Sequence, residues 1–190
     1  MRNPFNAPES LRRLLRVVVV SLLAPAAVAL AQENPLSDWN RTTYTQVKRI
    51  ILRSAEKMPE ENYSFKPTEA VRSYGQIIGH VADSQYTFCS VALGEKNPLL
   101  KIEKNKTTKA ELIAALKDAF AYCDKAYDAM TDKSGAETVS FFRGQTPKAG
   151  VLNINQMHTM EHYGNLVTYM RLKDIVPPTS EPGCMPTSAK

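Results

Sequence analysis

The sequence predicts an all-α protein, a four-helix bundle. Three observations carry that reading. Four separate segments repeat apolar residues at 3-and-4 spacing, each runs for about 20 residues, and none alternates with the period of two that marks a strand. Helices of that length are about 30 Å long and bury an apolar stripe best by packing side by side.

The first segment is Pro35–Lys57, where Leu36, Thr43, Val47, Ile50, Ile51 and Ser54 form a stripe continued by Met58. Asn34-Pro35 reads as an N-cap followed by proline at the first helical position, and Pro59 ends the helix. The connector PEENYSFKPTEAVR, with its prolines and polar residues, predicts no regular structure. Ser73 and Gln76 then have capping-box spacing, and Ile77, Val81, Phe88 and Val91 carry a second helix to about Leu93, with Gly94 suited to its C-terminal cap. Thr108 and Glu111 form another capping box before Leu112, Ala115, Leu116, Ala119, Cys123, Ala126 and Met130, so a third helix ends near Thr131. The stretch ETVSFFRGQTPKAG mixes β-branched and aromatic residues with turn formers and reads as an extended crossing loop with room for a short strand. A fourth helix is expected from about Leu152 to Leu172, and Pro177-Pro178 closes the regular structure before a flexible tail over residues 179–190. The two long connectors allow an order other than simple up-down-up-down.

The N-terminus has a different character. Arg2, Arg12, Arg13 and Arg16 make a basic region, an apolar stretch opens at Val17–Leu23, and Ala29-Leu30-Ala31 is an A-x-A cleavage pattern. The apolar run is about 14 residues against the roughly 20 that a span requires, so residues 1–31 read as a secretory signal, with no stable membrane span after cleavage. The expected domain is 32–178 and its location periplasmic or secreted; Arg12-Arg13 also fits a twin-arginine route. About 160 residues remain, a length for one domain with one core. The formal charge of +5 falls to about +2 once four arginines and Glu9 are gone, so the basic balance does not argue for nucleic acid. Cys89, Cys123 and Cys184 are too few and too widely spaced for a disulfide scaffold or a CxxC zinc site. A Cys89–Cys123 bridge requires neighbouring helices, and two buried thiols are the alternative.

The chemistry lies in the three histidines. His158 and His162 are four apart in HTMEH, hence about 40° apart around the helix, on a stripe shared with Ile154, Leu166 and Tyr169. His80 lies on the second helix with Ile77, Ser84, Thr87 and Val91. Imidazoles on an apolar face are costly unless each nitrogen has a partner, and a divalent metal supplies one. Three histidines with water completing the shell would form an open site of the catalytic kind, and imidazole accepts zinc, nickel, iron, copper or cobalt. HTMEH also fits the H-x-x-E-H zinc-protease pattern, but that chemistry needs a further acidic ligand downstream, where only Asp174 and Glu181 occur, and Glu161 flanks the histidine stripe.

RSYGQIIGHVADSQ at 72–85 and HTMEHYGNLVTYMR at 158–171, followed by Pro177-Pro178, resemble the DinB-like (damage-inducible protein B) family of metal-binding four-helix bundles. The resemblance spans about 36–178 and implies an up-down-down-up bundle with His80, His158 and His162 as metal ligands. It implies a divalent ion, most often nickel or zinc, with iron or manganese as further candidates. Some members resemble thiol S-transferases or thiol-dependent isomerases. The expectation is thus an exported metal-dependent enzyme of hydrolase or thiol-transferase type acting on a small-molecule substrate, with a homodimer as one option. A non-enzymatic, stress-associated protein with a structural metal is the alternative. Ser84, Thr87, Asp83 and Asn165 are candidates to orient the histidines or a water, and Tyr163 and Tyr169 to line the pocket.

Overall fold

The computed structural model describes residues 33–182, so the expected signal and Cys184 lie outside the described residues. Four long helices dominate: α1 (Pro35–Lys57), α2 (Tyr74–Leu93), α4 (Lys109–Ala129) and α6 (Lys148–Arg171). Two short helices, α3 (Ile102–Asn105) and α5 (Asp132–Gly135), and two strands, β1 (Thr138–Phe141) and β2 (Gly144–Pro147), complete the regular structure with two 3₁₀ turns. Among the described residues, no helix is long and apolar enough to cross a membrane.

Local sequence explains most boundaries. Ser73 accepts from the Gln76 backbone N–H while the Gln76 side chain takes the Ser73 N–H, and Gly94 closes α2 in the left-handed region at φ 71°. Thr108 and Glu111 make the same reciprocal pair at the start of α4. The start of α1 departs from expectation, because the Asn34 side chain caps nothing on its own helix. Its Oδ1 accepts from the Asp132 N–H at 2.9 Å, and the Asp132 carboxylate takes the Ser37 N–H at 2.7 Å and the Leu36 N–H at 3.3 Å. A helix N-terminus exposes N–H donors that any well-placed carboxylate can satisfy, so the cap here comes from α5.

The main core is a cluster to which all four long helices contribute, with α1 and α2 each packed against both α4 and α6, and a second, small cluster joins Phe88, Phe141 and Val151. Ile51, Tyr74, Ile78, Leu116, Phe120, Leu152 and Leu166 are fully buried in it. Tyr44 of α1 stacks on Tyr127 of α4 with centroids 3.7 Å apart. Leu36 stands outside, 74% exposed, so the α1 stripe faces the core only from Tyr44 onward. Cys89 and Cys123 are fully buried and joined by a disulfide, with their Cα atoms 5.3 Å apart, which settles the thiol alternative in favour of the bridge.

Three further expectations are corrected. The fold is mostly helical and not purely so, because the crossing loop is an antiparallel hairpin pairing Thr138 with Pro147 and Phe141 with Gly144. The last long helix begins at Lys148 and not near Leu152. Lys148-Ala149-Gly150 reads as turn chemistry, yet a Cβ at Gly150 would stand 3.1 Å from Thr146 Cγ2, so the glycine lets the first turn of α6 lie against β2. The tail is docked at its start: Tyr163 and Thr179 hydroxyls are 2.7 Å apart, and Glu181 pairs with Arg53 and Lys57.

Candidate metal centre

Helix α2 presents His80 and α6 presents His158 and His162, whose one-turn spacing puts both rings on the same face. The three rings meet. His158 Nε2 lies 3.2 Å from His80 Nε2 and 3.2 Å from His162 Nε2, and ring centroids are 4.5 to 5.1 Å apart. Each ring offers one nitrogen to a group whose members all lie within 4.8 Å of one another. Among the described residues, no other His, Cys, Asp or Glu belongs to such a group.

Hydrogen bonding alone does not satisfy these contacts. Each neutral imidazole nitrogen has either one N–H or one lone pair, so the central His158 Nε2 would have to serve both neighbours at once with a single proton or a single lone pair. His158 Nδ1 is buried with no hydrogen-bond partner at all. Charging the rings is no remedy, since burial and then the neighbouring His80 charge hold His158 below the usual histidine range. Burial, followed by His158 and His80, pushes His162 down to about 4. The lone pairs of His158 and His162 are thereby kept available near neutral pH. Nitrogens 2.0–2.1 Å from a tetrahedral ion stand about 3.3 Å apart, close to the observed contacts, so the donor set fits a first-row divalent metal.

Around the rings, His80 Nδ1 is 3.1 Å from Glu103 Oε2, and Arg72 Nε donates to the other carboxylate oxygen at 2.9 Å. His162 Nδ1 is 3.4 Å from the Asn165 side-chain amide. The Phe88 ring packs 5.4 Å from His158 and 5.8 Å from Phe141, so the hairpin backs the ring wall on that side. A cleft of about 580 Å³ adjoins the group, lined by His162, Asn165, Arg72, Gln76, Glu103 and Tyr169 among others. Its mixed polar and apolar lining suits a small polar molecule.

Of the residues expected to orient the histidines, only Asn165 touches a ring. Ser84 donates to the His80 backbone carbonyl and Thr87 to that of Asp83, ordinary back-bonds along α2. Asp83 caps α3, taking the Ile102 and Glu103 N–H groups at 2.8 and 3.0 Å. Tyr169 lines the cleft, but Tyr163 turns away to Thr179. Glu161 is exposed and outside the histidine group, which leaves the protease reading without its base. Sequence reasoning missed Glu103, because nothing in the local sequence marks a four-residue helix whose cap comes from nineteen residues upstream.

Residues 43–166, which contain all three histidines, match the DinB superfamily. The chain belongs to the DinB superfamily. It is 27% identical over 127 residues to the uncharacterized protein YjoA of Bacillus subtilis strain 168, covering 65% of this chain and 82% of that protein. Among solved structures, a DinB-like protein from Bacillus cereus ATCC 10987 superposes with a TM-score of 0.65 at 16% identity, covering 72% of this chain and 92% of that one. The crystal structure of YjoA itself gives 0.60 at 19% identity, over 72% and 92% of the two chains. A mutant form of a mycothiol-dependent maleylpyruvate isomerase gives 0.59 at 14% identity, over 68% of this chain and 60% of that one. These likenesses place this member of the superfamily in a DinB-like fold.

Proposed function

We propose that this protein is an exported enzyme that depends on a divalent metal, zinc or nickel in first place, held by His80, His158 and His162. The observation that carries the proposal is the open side of the histidine group. No fourth protein ligand joins the three nitrogens among the described residues, and a cleft large enough for a small molecule is lined by His162 at the edge of the group. A structural ion is usually closed in by a fourth protein ligand, whereas a catalytic one keeps a position for water or substrate. A bound ion supplies Lewis acidity that makes a water or thiol nucleophilic near neutral pH. The chain's own contribution is positional. Asn165 holds the His162 ring, the Phe88–Phe141 wall keeps water off His158, and Arg72 and Gln76 offer donors to a substrate in the cleft.

The proposed reaction class is hydrolysis or thiol transfer. The thiol branch draws on the mycothiol-dependent isomerase among the fold neighbours. The hydrolytic branch needs only water and suits export, and the buried Cys89–Cys123 disulfide supports export because oxidising compartments keep such bridges. The proposal includes the up-down-down-up order. Tyr74 at the start of α2 reaches Ser54 near the end of α1, Gly75 faces Leu112, Cys89 bonds Cys123, and His80 meets His158 and His162. Those contacts support α2 running with α4 and against both α1 and α6.

X-ray absorption on the zinc- or nickel-loaded protein tests the reading. Three imidazoles plus one or more oxygen ligands are expected, while four protein ligands would favour a purely structural ion. A panel of esters, amides and electrophiles, run with and without small thiols, then separates the branches by whether metal-dependent turnover requires the thiol.

A further inference from the structure

We infer that Glu103 is a positioning residue of the metal centre and that α3 is a strap built to hold it against His80. The inference rests on the metal reading above and extends it to a segment in which the sequence shows no chemistry. The carboxylate is fixed on both oxygens: Oε2 faces His80 Nδ1 at 3.1 Å, and Oε1 accepts from Arg72 Nε at 2.9 Å. A carboxylate in that place accepts the Nδ1 proton, which leaves the His80 lone pair on Nε2, the nitrogen that meets the other two rings. His80 thus arrives with its tautomer and ring plane already chosen.

The placement of Glu103 is itself over-determined by α2. Lys101, at φ 54°, turns the chain into α3, and the Asp83 carboxylate caps the strap by accepting from the Ile102 and Glu103 N–H groups. Ile102 is buried in the main core. Gly79 makes the approach sterically feasible, because a Cβ there would stand 2.6 Å from Glu103 Cα and 2.9 Å from Glu103 N. Gly79, His80 and Asp83 are therefore one device within a single turn of α2: space for the strap, the ligand it serves, and the cap that seats it. A surface ion pair between Arg72 and Glu103 would need none of this.

Two readouts on the full mature protein test the inference. Zinc affinity from chelator competition should fall 10- to 100-fold in Glu103→Ala, and by a similar factor in Gly79→Ala, where Glu103 is retained but displaced. Glu103→Gln keeps an acceptor for the Nδ1 proton and should recover affinity to within about 10-fold of wild type. Histidine ¹⁵N spectra without metal, at a pH above the ring titrations, should show His80 protonated on Nδ1 in wild type and in Glu103→Gln, and the Nε2–H form gaining in Glu103→Ala. Thermal melts identify any variant that is merely unfolded. Wild-type affinity in Glu103→Ala, or a wild-type His80 protonated on Nε2, overturns the inference. If wild type takes up no metal, the metal reading fails, and the tautomer alone still decides whether Glu103 orients His80.

Discussion

Two clusters of polar side chains, one buried and one half-buried, lie about one helical turn apart between α2 and α6, and their hydrogen bonding is opposite. In the inner cluster Gln85 Nε2 donates to Thr159 Oγ1 at 3.0 Å, Asn155 Nδ2 donates to Gln85 Oε1 at 2.9 Å, and Tyr127 and Thr159 donate to the backbone carbonyls of Leu152 and Asn155. The Cys89–Cys123 disulfide lies against it, with Asn155 Nδ2 3.5 to 3.7 Å from the two sulfurs. Donors and acceptors there nearly balance, with Asn155 Oδ1 the one atom left over. In the histidine cluster three rings face one another, the central His158 Nε2 cannot satisfy both neighbours, one nitrogen is buried alone, and His158 and His162 are held at low basicity. The first arrangement is complete as protein and holds α2, α4 and α6 together. The second becomes complete only with an electrophile, which is what makes it a candidate site.

Removing the disulfide should separate the two clusters most clearly. Replacing Cys89 and Cys123 with alanine should cost about 3–4 kcal/mol for the 34-residue separation, read from denaturant unfolding, while zinc affinity stays within about 3-fold of wild type. Loss of metal along with stability would show that the two clusters are not independent. Gln85→Ala removes one buried partner each from the Asn155 amide and the Thr159 hydroxyl and should cost about 1–3 kcal/mol, again with the metal retained.

The histidine cluster should respond to pH instead. His162 has its folded pKa depressed from 6.5 to about 4, so its contribution to stability is intact above pH 6.5. It is lost as acid protonates the unfolded chain first, down to about pH 4. With partial solvent access allowed for, metal-free protein should lose about 1–2 kcal/mol over that window, and His162→Gln should flatten the dependence. The smallest effect is expected from Thr87→Ala. This exposed side chain bonds only along α2 and to Asn97, so melting and metal affinity should both stay within about 0.5 kcal/mol of wild type.

The same contrast explains what could be read in advance. The helices with their own punctuation, Ser73 with Gln76 and Thr108 with Glu111, were legible because the cap and the helix it starts are three residues apart. His158 and His162 were legible as a pair for a like reason, since four residues fix a shared face. His80 joins them only through packing, and periodicity cannot say which helices are neighbours; the family resemblance supplied that. Asp132 capping α1, and Asp83 seating α3, connect residues 95 and 19 positions apart, so no local pattern announces them. Glu103 inherits that invisibility from the strap that carries it.

If the three nitrogens form one metal site, metal stoichiometry will show it. Protein purified and reconstituted with zinc or nickel should carry one tightly held ion per chain. His80→Ala, His158→Ala and His162→Ala should each lose at least about 100-fold in affinity while remaining folded. Wild type and all three variants holding equally little metal would contradict the account.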